Sequence, residues 1–472
     1  MVLPHFYIMS YKTRKDDNCM LGENRQKRGS GLIISEVTTN DSVVVVAGID
    51  AGSTETRVCL ADWHDAAMFG DKSKLNEALD ALLVTYKLPS TYANVDDARE
   101  IPSVSANLED NLDSTISLIR NQSERPMISR SRILRGRKTQ DAMGLVMRYL
   151  DSTTNKTDNP IFYVNVLDSL GYAIMQKYNG GIPKEAHIYL TLSVRPKELT
   201  SICRKKMLEN LKGSFMFVWK SISIQLHIED LHFTTEPEAQ IGGTTTVYDL
   251  RAECGIDPEH YAALADQLYD SSCYVHIEGG GSSIGVEVVR DGTIIDACSS
   301  TFPLGGNYLT QVFIDRYREQ SGRTVSPTAA NNAILSCVLR EGRNSIDVSE
   351  LVAVCKNQVG MDILERLRHE VIDTMSDLSL QDVEFITLGG RLFLPDAAGT
   401  TAGEYFGEYV HQLSPHTAIH ILTENFIAQG NLIGAMNDDE FRLKLDSPLK
   451  VLVDVVTDLN SDRSEAEESD SE

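Results

Sequence analysis

The stretch that decides the fold, residues 43–57, reads VVVVAGIDAGSTETR. Its first half is apolar and largely β-branched, which is typical of a buried strand, and Asp50, Gly52 and Ser53 then favour a tight turn. A second short apolar run, residues 58–60, follows at once. The sequence therefore predicts a strand, a turn and a second strand, whereas a Rossmann unit or a P-loop requires a helix directly after its glycines.

The same pattern occurs again from residue 274 onwards. Residues 274–278 are a strand candidate, residues 279–281 are a run of three glycines, and residues 284–289 are a second strand candidate. Two similar hairpins far apart in one chain suggest a duplicated domain. A further short apolar strand, residues 383–388, ends at Gly389-Gly390.

Length and charge limit the classes of function. At 472 residues the chain exceeds the size at which one hydrophobic core usually keeps growing, so two domains are expected. The formal charge of −24 would repel a phosphate backbone, which argues against direct binding of nucleic acid. The sequence has no run of about 18 apolar residues, and its cysteines form no C-x-x-C pair. We therefore expect a soluble cytoplasmic protein with no membrane partner, no thiolate zinc site and no redox motif.

Composition and motif spacing divide the chain into an extension, two domains and a C-terminal segment. The extension mixes charge, Gly and Ser without period, and the end of the C-terminal segment, from about residue 458, is strongly acidic, so both are expected to be disordered. Residues 62–160 show no strong period, and their details stay open. The predicted parts are residues 1–41, the extension; 42–235, the first domain; 236–437, the second domain, with a mainly helical insertion at about 308–380; and 438–472, the C-terminal segment.

The three glycine turns, each at the end of a strand, are best interpreted together. A hairpin turn of Gly and Ser exposes backbone N–H groups that can bind phosphate, and a nearby carboxylate can hold Mg²⁺. Two such hairpins facing one another would clamp a triphosphate, and a third glycine pair can lie flat under a nucleoside. The sequence therefore predicts an α/β nucleotide-binding protein.

Residues 50–57, DAGSTETR, resemble the first phosphate loop of the actin-like ATPase superfamily, and within it they are most similar to the plasmid-segregation ATPases of the ParM type. The resemblance implies the fold of that superfamily, with two duplicated RNase H-like α/β domains around a nucleotide cleft. Position 57 is usually Lys in this family, and Arg is a wider, planar donor. The implied roles are Mg²⁺ binding for Asp50 and phosphate binding for Gly52, Ser53, Thr54 and Arg57.

Residues 278–283, EGGGSS, resemble the second phosphate loop, which usually reads D-x-G-G-x-T. By this match Gly280, Gly281 and Ser282 bind phosphate, and Glu278 stands at a metal-binding position in place of Asp. Gly285 stands where relatives carry a second Asp. We expect these two departures to affect metal geometry and turnover rate, and to leave phosphate binding intact.

Three further matches complete the implied site. Residues 388–391, LGGR, resemble the adenosine motif, and residues 303–306, PLGG, resemble a glycine turn of the second domain. Glu236 follows a strand predicted over residues 231–235 and matches the glutamate that orients the attacking water. As the first acid of a helix, it would also suit the helix dipole alone. The further nucleotide-binding residues implied by these matches are Gly305, Gly306, Gly389, Gly390 and Arg391.

The resemblance implies an ATPase that binds ATP, or GTP in its place, together with Mg²⁺ and assembles into filaments. Head-to-tail contacts between identical copies are what generate open filaments. A DNA-binding adaptor would link such a filament to plasmid DNA, since the acidic chain disfavours direct contact. Two alternatives stay open: a non-polymerising chaperone-type or reactivase switch, and a sugar or acid kinase.

Overall fold

The computed structural model describes residues 42–52, 55–62, 65, 74–90, 92–94, 112–118, 131–135, 147–148, 155–219, 221–374 and 378–437. The predicted extension and the C-terminal segment lie outside the described residues, as do Ser53 and Thr54 of the first glycine turn. Within the described ranges, no helix is both long and apolar enough to cross a membrane.

The described part of the chain contains the following strands and helices, given in chain order. The strands are β1 (Ser42–Ala51), β2 (Glu55–Asp62), β3 (Tyr86–Pro89), β4 (Tyr92–Asn94), β5 (Leu112–Leu118), β6 (Ser131–Arg135), β7 (Met147–Arg148), β8 (Glu185–Val194), β9 (Gly213–Trp219), β10 (Ile222–Thr235), β11 (Cys273–Gly279), β12 (Ile284–Arg290), β13 (Thr293–Ile294), β14 (Ser300–Phe302), β15 (Val338–Glu341), β16 (Asn344–Asp347), β17 (Phe385–Gly389) and β18 (Ala418–Ile421). The helices are α1 (Leu75–Leu83), α2 (Pro160–Lys177), α3 (Ser201–Leu211), α4 (Glu236–Glu253), α5 (Pro258–Asp270), α6 (Gly306–Ser321), α7 (Pro327–Ser336), α8 (Ser349–Glu370), α9 (Ala402–Leu413) and α10 (Ile427–Asn437). Short 3₁₀ turns lie at Lys156–Asp158, Pro196–Glu198, Asp296–Cys298, Ile372–Thr374, Leu380–Asp382 and Arg391–Phe393.

Two sheets contain the same five-strand unit. In the first sheet the order is β3-β2-β1-β8-β10, and in the second it is β13-β12-β11-β17-β18. In both units the first three strands are antiparallel neighbours and the last three are parallel, so the two glycine hairpins, β1-β2 and β11-β12, occupy equivalent positions. The predicted duplicated α/β fold is thereby confirmed.

The first sheet continues beyond β10 through β9, β5, β6, β4 and β7. The predicted junction of the two domains, between residues 235 and 236, coincides with the step from β10 to α4. As a domain boundary it stays a prediction. The region predicted as a helical insertion contains α6, α7 and α8, and also the hairpin β15-β16, which the sequence did not predict.

Helices cover both faces of the first sheet, and this explains why β1 reads as an unbroken apolar run. Val45, Ala47 and Ile49 pack into a core with α2 and α3, whereas Val46 packs on the opposite face with α1, α4 and α10. The second sheet has its own core with α6, α8 and α9. Parallel strands buried on both faces hold their carboxyl ends in fixed positions.

Close backbone contacts through glycine join α10 to the first sheet and to α4. A Cβ atom at Gly48 of β1 would lie 2.1 Å from the Ala428 carbonyl oxygen, and one at Gly430 would lie 1.7 Å from the Ala239 carbonyl oxygen. Only glycine fits at these crossings. The amino ends of α4 and α10 are therefore held side by side, at the edge where β1 and β10 end.

Candidate functional site

A cleft of about 640 Å³ lies between the two sheets. It is lined by residues at or just beyond the carboxyl ends of β1, β8, β10, β11, β17 and β18, which is where ligands of open α/β sheets usually bind. Of the residues predicted for the site, those that line the cleft are Asp50, Gly52, Arg57, Glu236, Glu278, Gly280, Gly281, Ser282, Gly390 and Arg391. Ser53 and Thr54 lie outside the described residues.

The two hairpin turns are closed by equivalent backbone hydrogen bonds. In the first, the Gly52 N–H donates to the Glu55 carbonyl at 3.1 Å, and in the second, the Gly280 N–H donates to the Ser283 carbonyl at 2.9 Å. A Cβ at Gly52 would lie 2.8 Å from that Glu55 oxygen, so the tight turn requires glycine. Both turns face the same cleft, as the sequence predicts for a phosphate clamp.

Gly305 and Gly306 were predicted to bind the nucleotide, and the structure places them next to the second turn. They lie behind the second turn and do not line the cleft, because the Gly306 N–H donates to the Gly280 carbonyl at 3.0 Å. A Cβ at Gly305 would lie 2.5 Å from the Ser283 nitrogen. These glycines therefore support the second turn, and their direct contact with a nucleotide stays a prediction.

Gly389 also lies outside the cleft lining, for a different reason. A Cβ there would lie 2.3 Å from Oε2 of Glu278, and one at Gly390, whose φ is +88°, would lie 2.4 Å from Oε1 of the same carboxyl group. The glycine pair thus makes room for a side chain one methylene longer than Asp. This packing explains how Glu278 is accommodated at a position where relatives of the resembled family carry Asp.

Glu278 is buried, and burial is the main cause that raises its pKa from 4.5 to about 8, with a further increase from the nearby Glu236 carboxylate. Its nearest basic neighbour on β11 is His276, whose Nε2 lies 3.7 Å from Glu278 Oε2. Burial lowers the pKa of His276 to about 3, so this ring is neutral and does not balance the carboxylate. Glu278 therefore holds its proton near neutral pH when no ligand is present.

Replacement of Glu278 by Gln is expected to raise the melting temperature of the nucleotide-free protein by several degrees at about pH 8.5, and to change it little near pH 4.5. The folded state raises the pKa of Glu278 above its value in the unfolded chain, so the unfolded chain loses this proton first and stability falls as pH rises from 4.5 to about 8. Thermal melts of both proteins across this range test the expectation, with the exposed Glu253→Gln as control. A difference between Glu278→Gln and wild type that does not grow with pH would contradict it.

Gly285 faces two proline side chains and not the cleft. A Cβ at this position would lie 3.2 Å from Cγ of Pro237 and 3.3 Å from Cδ of Pro196. The space that an Asp side chain would need is therefore filled by two proline rings. This explains the second departure from the family pattern.

Asp50 is the penultimate residue of β1, opposite Arg57 of β2, and it is 7% exposed. The Arg57 guanidinium lies 3.5 Å from Asp50 Oδ2 through Nη1, and it donates from Nε to Glu55 Oε1 at 2.8 Å. Burial raises the pKa of Asp50 to about 6, and Arg57 acts in the opposite direction. A divalent cation would favour the ionised carboxylate and release this proton.

Glu236 is the first residue of α4. The helix start is fixed by a capping box in which the Thr235 side chain accepts from the Glu238 N–H at 3.1 Å, and the Glu238 carboxylate accepts from the Thr235 N–H at 3.2 Å. Glu238 is thereby used by the cap, whereas the Glu236 side chain faces the cleft and forms an ion pair with the Lys156 ammonium.

Lys156 is a functional candidate that the sequence did not reveal. Its side chain is 5% exposed, and its backbone N–H donates to the Glu198 carboxylate at 3.0 Å. Glu198 in turn lies 3.6 Å from Nε of Arg195, which also lines the cleft. Lys156 is 80 positions away from Glu236 in a region without clear periodicity, so only the folded chain brings them together.

The opposite end of the cleft is held by Arg251 of α4. Its guanidinium forms a bidentate ion pair with Glu424, with distances of 2.6 and 2.9 Å, and it lies over the rings of Tyr261 and Phe426 at 5.0 and 5.5 Å from their centroids. Gln240 fixes the same loop, since its Oε1 accepts from the Phe426 N–H at 2.9 Å. No sequence motif indicated these contacts, because Arg251 and Gln240 lie far along the chain from the loop that they hold.

The cleft is much less acidic than the chain as a whole. The full chain has 44 basic and 68 acidic residues, whereas the described cleft lining has six basic and five acidic residues. The basic residues are Arg57, Lys87, Lys156, Arg195, Arg251 and Arg391, and the acidic ones are Asp50, Glu55, Glu236, Glu278 and Glu424. Such a lining suits an anionic ligand that brings a cation with it.

The chain resembles known proteins in fold and not in sequence. No protein-family model matches the chain, and no curated protein matches it significantly. Solved structures do match. The archaeal actin homologue Ta0583 has a TM-score of 0.55 at 13% identity, over 84% of this chain and 100% of the homologue. A further structure of Ta0583, a complex with ADP, has a TM-score of 0.52 at 14% identity, over 84% and 100% of the two chains.

The fold is therefore that of actin and its homologues, as the glycine hairpins predicted. Two ParM structures share it: apo pSK41 ParM, with a TM-score of 0.51 at 11% identity over 84% of this chain and 99% of that one, and a non-polymerisable quadruple mutant of pCBH ParM, with a TM-score of 0.52 at 12% identity over 86% and 100%. At these identities the likeness establishes the fold alone.

Proposed function

We propose that this protein is an actin-like ATPase that binds ATP with Mg²⁺ in the cleft, hydrolyses it and assembles into filaments. The observation that carries the proposal is the pair of hairpin turns with the same Gly N–H to carbonyl closure, which face one cleft whose lining includes six basic and five acidic residues. The ADP complex of Ta0583, which has the same fold, supports an adenine nucleotide as the ligand.

The phosphates would lie between the two turns. Gly281 and Ser282 of the second turn would offer backbone N–H groups there, whereas the N–H groups of Gly52 and Gly280 close the turns and these glycines let the backbone approach the phosphates. Arg57, whose guanidinium is held by two carboxylates in the nucleotide-free protein, is the cation nearest the first turn. Ser53 and Thr54 remain predicted phosphate ligands.

Asp50 is the residue we propose for Mg²⁺. It is the carboxylate at the end of β1, it faces the cleft, and it is flanked by the first turn. The ion would neutralise phosphate charge and so favour both binding and transfer. Glu278 remains a predicted metal position, but its carboxyl group packs against Gly389 and Gly390 and keeps its proton, so the proposed metal site does not depend on it.

Glu236 is the residue we propose to position the attacking water. It is the acid at the amino end of α4 that faces the cleft, since Glu238 is engaged in the helix cap. Lys156 is a positioning residue, because its ammonium holds the Glu236 carboxylate. A second cation of the same neighbourhood, Arg195, is held by Glu198 and would add positive charge near the phosphates.

The nucleoside would lie at the end formed by Gly390, Arg391 and the loop that precedes α10. Gly390 has a positive φ, which lets the backbone approach closely. The bidentate Arg251–Glu424 ion pair keeps this loop in place. ATP is proposed as the ligand because Ta0583, which shares the fold, forms a complex with ADP, and GTP is its proposed competitor.

Assembly into filaments would make a second copy of this chain the main partner. The description of one ParM structure as a non-polymerisable mutant connects this fold with polymerisation. A cargo of DNA would require an adaptor, because the chain carries a net charge of −24. The adaptor and the plasmid role rest on the resemblance in sequence motifs alone.

Addition of ATP and Mg²⁺ to the purified protein is expected to cause a rise in light scattering above a critical concentration, and filaments should appear in electron micrographs. Binding of the nucleotide draws the two halves of the cleft together, and the closed form would present the surfaces that join copies. High-speed pelleting with ATP, with ADP and without nucleotide is the measurement. If nothing pellets at any concentration although ATP is hydrolysed, the protein is a non-polymerising switch.

A further inference from the structure

A cluster of histidine and glutamate side chains lies on the first sheet, remote from the cleft. The parallel pairing of β8 and β10 places His187 directly opposite His227, and the two rings stack with their centroids 4.8 Å apart and an interplanar angle of 13°. From residue 227 to the cleft end of β10 at residue 235, the strand is about 25 Å long. The cluster is therefore separate from the proposed nucleotide site.

Two carboxylates accompany these rings. Glu185 precedes His187 by two positions on β8 and so projects from the same face. One ligand atom from each of Glu185, His187 and His227 lies within 4.8 Å of the others. Glu229 lies at a β-bulge of β10, where the register shifts between Ile228 and Asp230, and its Oε1 is 2.7 Å from Nδ1 of His187. The bulge thus allows a second carboxylate to face the same cluster.

Each imidazole is oriented through its Nδ1 atom. His187 Nδ1 pairs with the Glu229 carboxylate, and His227 Nδ1 lies 2.8 Å from Oγ of Ser214, which is in register with it on β9. Histidines that bind metals commonly use one ring nitrogen for the ion and hydrogen-bond the other to an oxygen, which fixes the tautomer and the ring orientation. Both rings of this cluster have that arrangement.

We propose that Glu185, His187 and His227 form a binding site for a divalent transition metal of the Zn²⁺ class. Two imidazoles and one carboxylate are ligands that Zn²⁺ accepts, whereas Mg²⁺ and Ca²⁺ favour oxygen ligands throughout. Nε2 of each ring and a carboxylate oxygen of Glu185 are the assigned ligand atoms. Glu229 and Ser214 orient the rings of His187 and His227 through hydrogen bonds at Nδ1.

The side chains have to rearrange to close on an ion, because the two stacked rings are only 13° from parallel and their in-plane nitrogen lone pairs do not converge. Ligand atoms around a tetrahedral Zn²⁺ lie about 3.4 Å apart, so groups that are now within 4.8 Å have to approach by roughly 1 Å. The side chains of His187 and Glu229 are 35% and 43% exposed, so an ion can enter from solvent and the rotamers can adjust. Bound metal would then tie β8 to β10 and leave a fourth position for water or for a donor from another molecule.

The test uses the full chain, treated with a chelator and free of nucleotide, and Zn²⁺ alone as the probe. Competition with a fluorescent Zn²⁺ indicator should give one site per chain, and His187→Gln and His227→Gln should each weaken it at least about tenfold. His369→Gln, at an exposed histidine of α8, is the matched control and should bind as wild type does.

Co²⁺ provides a second readout, since its visible spectrum reports nitrogen ligands and a low coordination number. If either His variant is poorly folded in thermal melts without metal, Glu185→Gln replaces it, because its exposed carboxylate contributes little to packing. Equal Zn²⁺ affinity in wild type and in all three ligand variants would overturn the proposal, as would a wild-type protein without saturable Zn²⁺ binding. In those cases the stacked rings are a metal-free polar cluster.

Discussion

Glu236→Gln is expected to lower the rate of ATP hydrolysis about 100-fold or more while ATP binding is retained. Loss of a general base or water-positioning group costs on this scale. Glutamine keeps the shape of the side chain and an oxygen that can accept from Lys156, so the buried ammonium is not left without a neighbour. Phosphate release and nucleotide binding, measured on the same preparation, separate the two effects.

The matched control for this variant is Glu238→Gln, two residues further along the first turn of α4. Its carboxylate accepts from Thr234 Oγ1 at 2.6 Å and completes the capping box, so the change should cost at most about 1 kcal/mol of stability and leave hydrolysis nearly unchanged. If the protein forms filaments, those of Glu236→Gln should persist in ATP, because hydrolysis no longer weakens them. Wild-type hydrolysis by Glu236→Gln would show that another residue positions the water.

Asp50→Asn is expected to abolish the gain in ATP affinity that Mg²⁺ provides, a loss of at least about tenfold in the presence of the ion. An amide has no charge to hold the cation, whereas the carboxylate offsets part of its positive charge next to the phosphates. Because Arg57 keeps its 2.8 Å hydrogen bond to Glu55, the β1-β2 hairpin should remain folded. Titration of ATP into both proteins, with Mg²⁺ and with a chelator, gives the difference directly.

The pH dependence of the same measurement supplies an internal check. Since burial raises the pKa of metal-free Asp50 to about 6, protons compete with Mg²⁺ more strongly as pH falls through that value, and the Mg²⁺-dependent gain should shrink in wild type. Asp50→Asn should show no such trend. Glu55→Gln, which alters the other carboxylate that contacts Arg57, should keep most of the gain. A Mg²⁺ effect of wild-type size in Asp50→Asn would refute the assignment.

The fold could be predicted from short stretches because its decisive features are local. The hairpin at residues 43–60 is marked by β-branched residues and a glycine turn, and its repetition from residue 274 shows the duplication. Helix α3 (Ser201–Leu211) likewise begins at a local feature, since the Thr200 side chain accepts a hydrogen bond from the Cys203 N–H. Strand β10 was predicted only over residues 231–235, because the bulge at Glu229 interrupts the alternation that marks a strand.

The site could be predicted only where a motif is contiguous. Lys156, Arg195 and the Arg251–Glu424 pair act through contacts between distant parts of the chain, and a single sequence carries no signal for such contacts. Gly305 and Gly306 were assigned to the ligand because residues 303–306 resemble a glycine turn of the family, and in the structure the group that approaches Gly305 most closely is the second turn itself. A glycine pattern thus indicates a close contact without naming its partner.

The central claim is that the nucleotide lies between the two hairpin turns. Hydrogen–deuterium exchange with and without Mg²⁺ and ATP tests it most directly. At saturating ATP, peptides covering residues 278–283 and 389–394 should take up less deuterium, because their amides lie at the proposed phosphate and nucleoside positions. The hairpin at residues 338–347, which does not contribute to the cleft, should exchange as before. Unchanged uptake in both cleft peptides at millimolar ATP would contradict the account.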